Sequence, residues 1–446
     1  MKEVTKMENR VYLLNMSVAG IKSIKEEVRL DFYKKNVDKS FNPEKYRIKA
    51  VYGENGSGKS AIITAVTIFQ NITMSNNYLS ESKTQLFLDE IVNKSTKKFC
   101  FRCEFLVEED ADRMVCDYFM QIGKSDNGTY EIQYERLDVK SGNYANNKYK
   151  TVVECKNGEL VYILCDETEK RKIEQKTMNL LSVHSFVHLY VTKFEKEDTT
   201  DMNFLFYMLV CGKFCLSLWV YIEEEDQHEL YFWKKKMKDY GFNNQALRDA
   251  FFEDQDNVNK FLSVNERYVD KQFFEEYKER VSQLTQFIKI FKRDLVCIDI
   301  DAKENGEQYV CDLNMNYGEY VINKEFESTG IKKLIRLFDC LAAASIGGIV
   351  FIDEMDSNLN DVYLCKLIEY FMYYGKGQLC FTTHNLDPMS VLKKNKNAID
   401  FLSSDNHLVS WVSRGNASPE NCYKNGMIED SPFNIDATDF VGIFGE

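Results

Sequence analysis

The eight residues "GENGSGKS", Gly53 to Ser60, lie inside the run "RIKAVYGENGSGKSAIITAV" from Arg47 to Val66. They fit the template G-x-x-x-x-G-K-[ST]. The flanks fit too. An apolar strand from Arg47 to Tyr52 leads in, and a helix from Ala61 to about Met74 leads out. Gly53, Gly56 and Gly58 permit torsions that a side chain forbids, so successive N–H groups can turn inward. With the N-terminus of the following helix they form a cradle for phosphate oxygens. In such a loop Lys59 reaches the β- and γ-phosphates, and Ser60 offers its hydroxyl to Mg²⁺. Asn55, Ser57 and Ala61 belong to the same nucleotide-binding set.

A phosphate loop needs a second metal ligand, and hydrolysis needs a placed water. "GGIVFIDEMDSNLN", Gly347 to Asn360, offers both. Four apolar residues, Ile349 to Ile352, read as a central parallel strand. Asp353 at its end is the candidate Mg²⁺ ligand, and Glu354 the candidate for polarising the attacking water. A second buried strand in "LCFTTHN" ends at Thr382, Thr383, His384 and Asn385. A histidine at a strand end beside a γ-phosphate can sense whether that phosphate is present.

The surrounding chain has 446 residues, room for two or three domains. Its net charge of -13 argues against coating nucleic acid through bulk charge. "MKEVTKMENR" is charged, so a secretory leader is not expected, and the thirteen scattered cysteines read as reduced thiols of a cytoplasmic protein. "FLFYMLVCGKFCLSLWVYI", Phe204 to Ile222, is nearly long enough to span a bilayer, but Lys213 at its centre favours a buried helix or two buried segments broken at Gly212.

Alternation from Arg10 to Phe32 predicts two strands, and a meander of antiparallel strands follows from about Lys97 to Ile163. From about Asp166 the chain is helix-rich and charged, without sustained heptads. Strands return at "DLVCIDID", "QYVCDLNM" and "EYVINKEF". Further elements are a helix from about Lys332, one after Asp361, and a strand pair near Asp400 to Ser413. The division expected is 1–165, 166–293 as a helical insertion, and 294–446.

The order of these motifs resembles that of ATP-binding-cassette-type ATPase heads, including the SMC and OLD families. "FESTGIKKLIRLFDCL" resembles the signature element, at Ser328 and Gly330, and "SNLN" at Ser357 to Asn360 resembles the D-loop. Asp353 and Glu354 match the Walker B pair, and His384 the switch histidine. The likeness is nearest to AAA-type ATPases of bacterial abortive-infection and other anti-phage systems, such as the ATPase components of Septu- and PARIS-like operons. It covers roughly Arg10 to Phe105 and Asp294 to Ser413.

The resemblance implies an α/β P-loop NTPase of ABC type, a mixed sheet plus an antiparallel lobe, with ATP and Mg²⁺ as cofactors. It implies two heads packed head-to-tail, a homodimer or higher oligomer, with ATP between the P-loop of one and Ser328–Gly330 of the other. Lys332 or Lys333 would add positive charge to the opposing γ-phosphate. The function implied is ATP-gated control of a separately encoded effector protein. A DNA-binding ATPase of the SMC kind is the alternative, and no membrane partner is expected. Gln70, Gln85 and Gln121 are the candidates for the family's Mg²⁺-sensing glutamine.

Other features read as structural. Cys100 and Cys103 in "FCFRC" point to opposite faces of a strand, with Phe99, Phe101, Cys103 and Phe105 toward the core. His184 and His188 are at i, i+4 spacing without a further ligand. Asp299 and Asp301 in "DIDAKE" lie between strands. "WKKKMK", Trp233 to Lys238, beside "EEED", Glu223 to Asp226, reads as a solvated charged helix.

Overall fold

A computed structural model describes residues 10–109, 112–194, 201–223, 262–412 and 417–428, with 431 and 443. The basic cluster at Trp233 to Lys238 and most of the C-terminal tail lie outside the described residues. The fold is α/β, and the described residues form three sheets.

The central sheet has six strands in the order Leu408–Ser410, Ile399–Leu402, Ile48–Gly53, Gln378–Thr382, Ile349–Ile352 and Leu218–Tyr221. All pairings are parallel except the one to Leu408–Ser410. A parallel strand covered on both faces shows as a continuous apolar run, which is how Ile349–Ile352 reads. Its side chains alternate between two cores. Val350 and Ile352 join Ala50, Tyr52, Leu379 and Phe381 beneath the helices Thr329–Ile346 and Asp361–Tyr373. Ile349 and Phe351 face the helices Lys59–Met74 and Met202–Ser217.

Those two helices are sandwiched between the central sheet and a seven-stranded antiparallel sheet. The latter runs Val28–Asp31, Arg10–Ala19, Lys98–Glu109, Asp112–Lys124, Tyr130–Ser141, Lys150–Lys156 and Glu159–Ile163. Phe99, Phe101, Cys103 and Phe105 are buried on its inner face as their alternation requires. Phe69 of the first helix stacks on Phe101 at 4.4 Å. A bulge between Leu13 and Asn15 lets the two sheets be tied together. The fully buried Gln378 accepts from Leu13 N at 2.6 Å and donates to Leu13 O at 2.9 Å.

The third sheet joins Tyr268–Asp270, Gln308–Asn316 and Cys297–Asn305, with Val321–Asn323 also on Gln308–Asn316. It packs with the helix Phe274–Phe291 against Thr329–Ile346. Asp299 and Asp301 lie within the strand Cys297–Asn305, paired to Asn314 and Asp312, rather than between strands as expected, and among the described residues no cluster of three metal-ligating side chains occurs.

The apolar run from Phe204 resolves differently from the expectation. It is helical through Ser217 and then becomes the edge strand Leu218–Tyr221. Trp219, Val220 and Tyr221 have the bulk that a pleated, half-buried edge favours. No helix among the described residues is long and apolar enough to cross a membrane.

Candidate functional site

Parallel strands leave their carboxyl ends along one edge, where open α/β sheets collect ligands. Here that edge gathers the Gly53–Ser60 loop, Asp353–Glu354, His384 and the end of the Leu218–Tyr221 strand. The strand ending in Thr382 lies between the other two motif-bearing strands.

Gly56 and Gly58 adopt φ of 83° and 107°, and Gly58 opens the helix Lys59–Met74 without a side-chain cap. A Cβ on Gly58 would also stand 3.0 Å from Ile24 Cγ1. The loop therefore needs glycine there for torsion and for space. Lys59 is buried, and its Nζ donates to the carbonyls of Gly53 and Glu54, each at 2.9 Å. That uses two of its three protons. Burial lowers the pKa of Lys59, against the opposing pull of Asp353, Glu354, Asp356 and Glu54. Ser57 is buried, and its hydroxyl has no hydrogen-bond partner among the described residues. Ala61 is also buried and has only its backbone to contribute.

Asp353 is buried at the end of its strand. The Thr382 hydroxyl donates to Asp353 Oδ1 at 2.5 Å and accepts from Glu354 N at 2.8 Å. One threonine thus fixes both acidic residues across the two strands. Asp353 Oδ1 is thus taken by Thr382, and Ser60 on the helix Lys59–Met74 is half-buried. A carboxylate and a hydroxyl are oxygen ligands of the kind a hard cation takes.

Glu354 has φ of +46°, a left-handed conformation rare for a residue with a long side chain. Its carbonyl accepts from Ser357 N at 3.1 Å and Ser357 Oγ at 3.0 Å. Beyond it, Asp356 Oδ2 accepts from His384 N at 3.3 Å. The His384 ring is partly withdrawn from water. Partial burial lowers its pKa most and the Lys59 ammonium next, against the opposing pull of Asp356 and Asp353.

Ser328 caps the helix Thr329–Ile346, accepting from Ile331 N at 3.4 Å. Gly330 lies where the chain passes close to the Ser357–Asn360 turn. A Cβ there would meet Asn358 O at 2.7 Å. The two segments resembling a signature and a D-loop therefore touch within one chain.

Lys333 does not fit the expected contact with an opposing phosphate. It is buried, and its Nζ donates to Glu223 Oε1, to Ser357 Oγ and, at 2.8 Å, to Glu354 O. Glu223, expected on a solvated helix, instead also accepts from Tyr221 OH at 3.1 Å, and its Oε1 lies 3.0 Å from Ser357 Oγ, whose single proton serves either it or Glu354 O. Burial opposes its charge, but the hydrogen bond and charge of Lys333, with Ser357 and Tyr221, hold its carboxyl below the usual range. Lys332 donates to Glu325 O at 3.3 Å.

The glutamine candidates serve structure. Gln70 ties its helix to the edge strand through Cys215 O and Leu218 O. Gln85 bonds Leu79 O and Tyr130, and Gln121 bonds Gln133. His188 is buried and bonded to Asn76 at 2.9 Å.

The sequence places Thr382 only at a strand end and Glu223 only in an acidic flank, and gives Asp356 no role. The adjacent threonines before His384 offered a signal for the first, and nothing local marked Glu223. No protein-family model matches the chain, and no curated protein is significantly similar to it.

Proposed function

We propose that this chain is a P-loop NTPase of ABC type that binds and hydrolyses ATP with Mg²⁺. The observation carrying the proposal is the gathering of Lys59, Asp353, Glu354 and His384 at the carboxyl edge of three adjacent parallel strands. The Gly53–Ser60 loop would hold the phosphates through its N–H groups and the third Lys59 proton. Ser60 and Asp353 would hold Mg²⁺, which when bound neutralises phosphate charge. Glu354 would take the proton of the attacking water as the β–γ bridging P–O bond breaks, giving ADP and phosphate. His384 would donate a hydrogen bond to a γ-phosphate oxygen.

Motif order supports an assembly step in which Ser328 and Gly330 of one copy close the nucleotide site of another. The resemblance to anti-phage ATPases extends the proposal to ATP-gated control of a separate effector protein. Light scattering of the Glu354→Gln protein tests the assembly step. Mass should grow on adding Mg-ATP and stay at the nucleotide-free value when Lys59→Ala is added. An unchanged mass with ATP bound would refute an ATP-gated assembly.

A further inference from the structure

Glu354 is held in its left-handed conformation at both of its peptide groups. Its N–H is fixed by Thr382 Oγ1, and its carbonyl by Ser357 and Lys333. A residue in this region carries local strain and persists only where its surroundings impose it. Lys333 comes from another element, the helix Thr329–Ile346, and its ammonium reaches the acidic turn. Its ammonium has three protons and finds three acceptors: Glu354 O, Ser357 Oγ and Glu223 Oε1. Glu223 in turn follows the edge strand whose Tyr221 carbonyl accepts from Asp353 N at 2.8 Å. The Tyr221 ring lies 5.3 Å from the Lys333 ammonium.

We infer that Lys333, with Glu223 as its counter-charge, is a positioning residue that aims the Glu354 carboxylate by locking the backbone of the acidic turn. This rests on the ATPase reading of the site. The three hydrogen bonds of the Lys333 ammonium go to Glu354 O, Ser357 Oγ and Glu223 and none to the Gly53–Ser60 loop, so it sets the geometry of the water-activating group rather than nucleotide binding. The Ser357 hydroxyl shares both Lys333 and Glu223, so the Ser357–Asn360 turn moves with Glu354.

The test compares Mg-ATP affinity with single-turnover hydrolysis in wild type, Lys333→Met and the double variant Lys333→Met/Glu223→Gln. The double variant removes both charges of the Lys333–Glu223 pair, and the half-buried Arg336, 4.0 Å from Glu223, loses that one contact, so it reports even where the single variant folds poorly. Misplacing a reacting group by about 1 Å costs on the order of 10²-fold in rate. Hydrolysis in the folded variants should fall by about that factor, with ATP affinity within roughly threefold of wild type. The same rate as wild type overturns the inference, as does a parallel loss of affinity and rate. Failure of both variants to fold would assign the contact to stability alone and also overturn it. Wild-type protein that binds no ATP would instead refute the nucleotide reading itself.

Discussion

Lys49 and Asp400 form an ion pair at 2.8 Å between two neighbouring parallel strands, with both side chains wholly withdrawn from solvent. Asp400 is further served at Oδ1 by the Ser410 hydroxyl at 2.6 Å. Neither Lys49 Nζ nor Asp400 Oδ2 has a hydrogen-bond partner among the described residues, so the pair rests on its mutual charge. Lys49→Met would leave Asp400 buried with one hydroxyl for company. Breaking a buried pair from one side costs about 3–5 kcal/mol. Adding Asp400→Leu removes the stranded charge. The double variant should then lie within about 2 kcal/mol of wild type, because replacing a whole buried pair by apolar groups is often neutral. The coupling between the two sites should exceed about 2 kcal/mol. Urea unfolding followed by tryptophan fluorescence reads this directly, since Trp219 and Trp411 pack against this sheet's core. A single variant costing under about 1 kcal/mol, or a double variant less stable than Lys49→Met, would refute the reasoning.

Three further outcomes follow from the structure. Gln378→Leu removes the bridge between the parallel and antiparallel sheets and strands the Leu13 peptide. Urea unfolding should show a loss of about 2–4 kcal/mol, and a loss under about 1 would deny Gln378 its bridging role. Burial pushes the Glu135 carboxyl up to about 7, although hydrogen bonds from Tyr118 OH and the N–H groups of Phe186 and Val187 oppose it. A folded pKa above the unfolded value gives stability that is full below about pH 4.5 and lost as pH rises through about 7. Stability of Glu135→Gln relative to wild type should therefore rise from pH 5 to 8, and a flat difference would contradict the shift. In Lys59→Met the repulsion that lowers the His384 pKa is gone, so the pKa should move up toward its ordinary value while part of the burial effect stays. NMR titration of His384 reads the change, and an unchanged or lower value would place Lys59 too far away to matter.

Much of the fold was legible because its strands carry strong periodic signals. The buried run Ile349–Ile352 and the Phe99–Phe105 alternation each announce one element and one face. The glycine loop was legible because its torsions restrict residue choice at fixed spacing. What stayed hidden was long-range. Leu218–Tyr221 reads as the tail of an apolar helix, and only its pairing with Ile349–Ile352 makes it a strand. Lys333 and Glu223 are 110 positions apart, and each looks like a surface charge in its own neighbourhood. Periodicity describes one segment at a time, whereas a buried charge pair is defined by tertiary contact.

The central claim is that Glu354 activates water over a nucleotide held by the Gly53–Ser60 loop. Phosphate release from Mg-ATP, measured beside equilibrium ATP binding in wild type, Glu354→Gln and Lys59→Ala, tests it most directly. Wild type should bind and turn over, Glu354→Gln should bind but lose at least about 10²-fold in rate, and Lys59→Ala should do neither. Turnover by Glu354→Gln at the wild-type rate, or a wild-type protein that binds no ATP, would contradict the account.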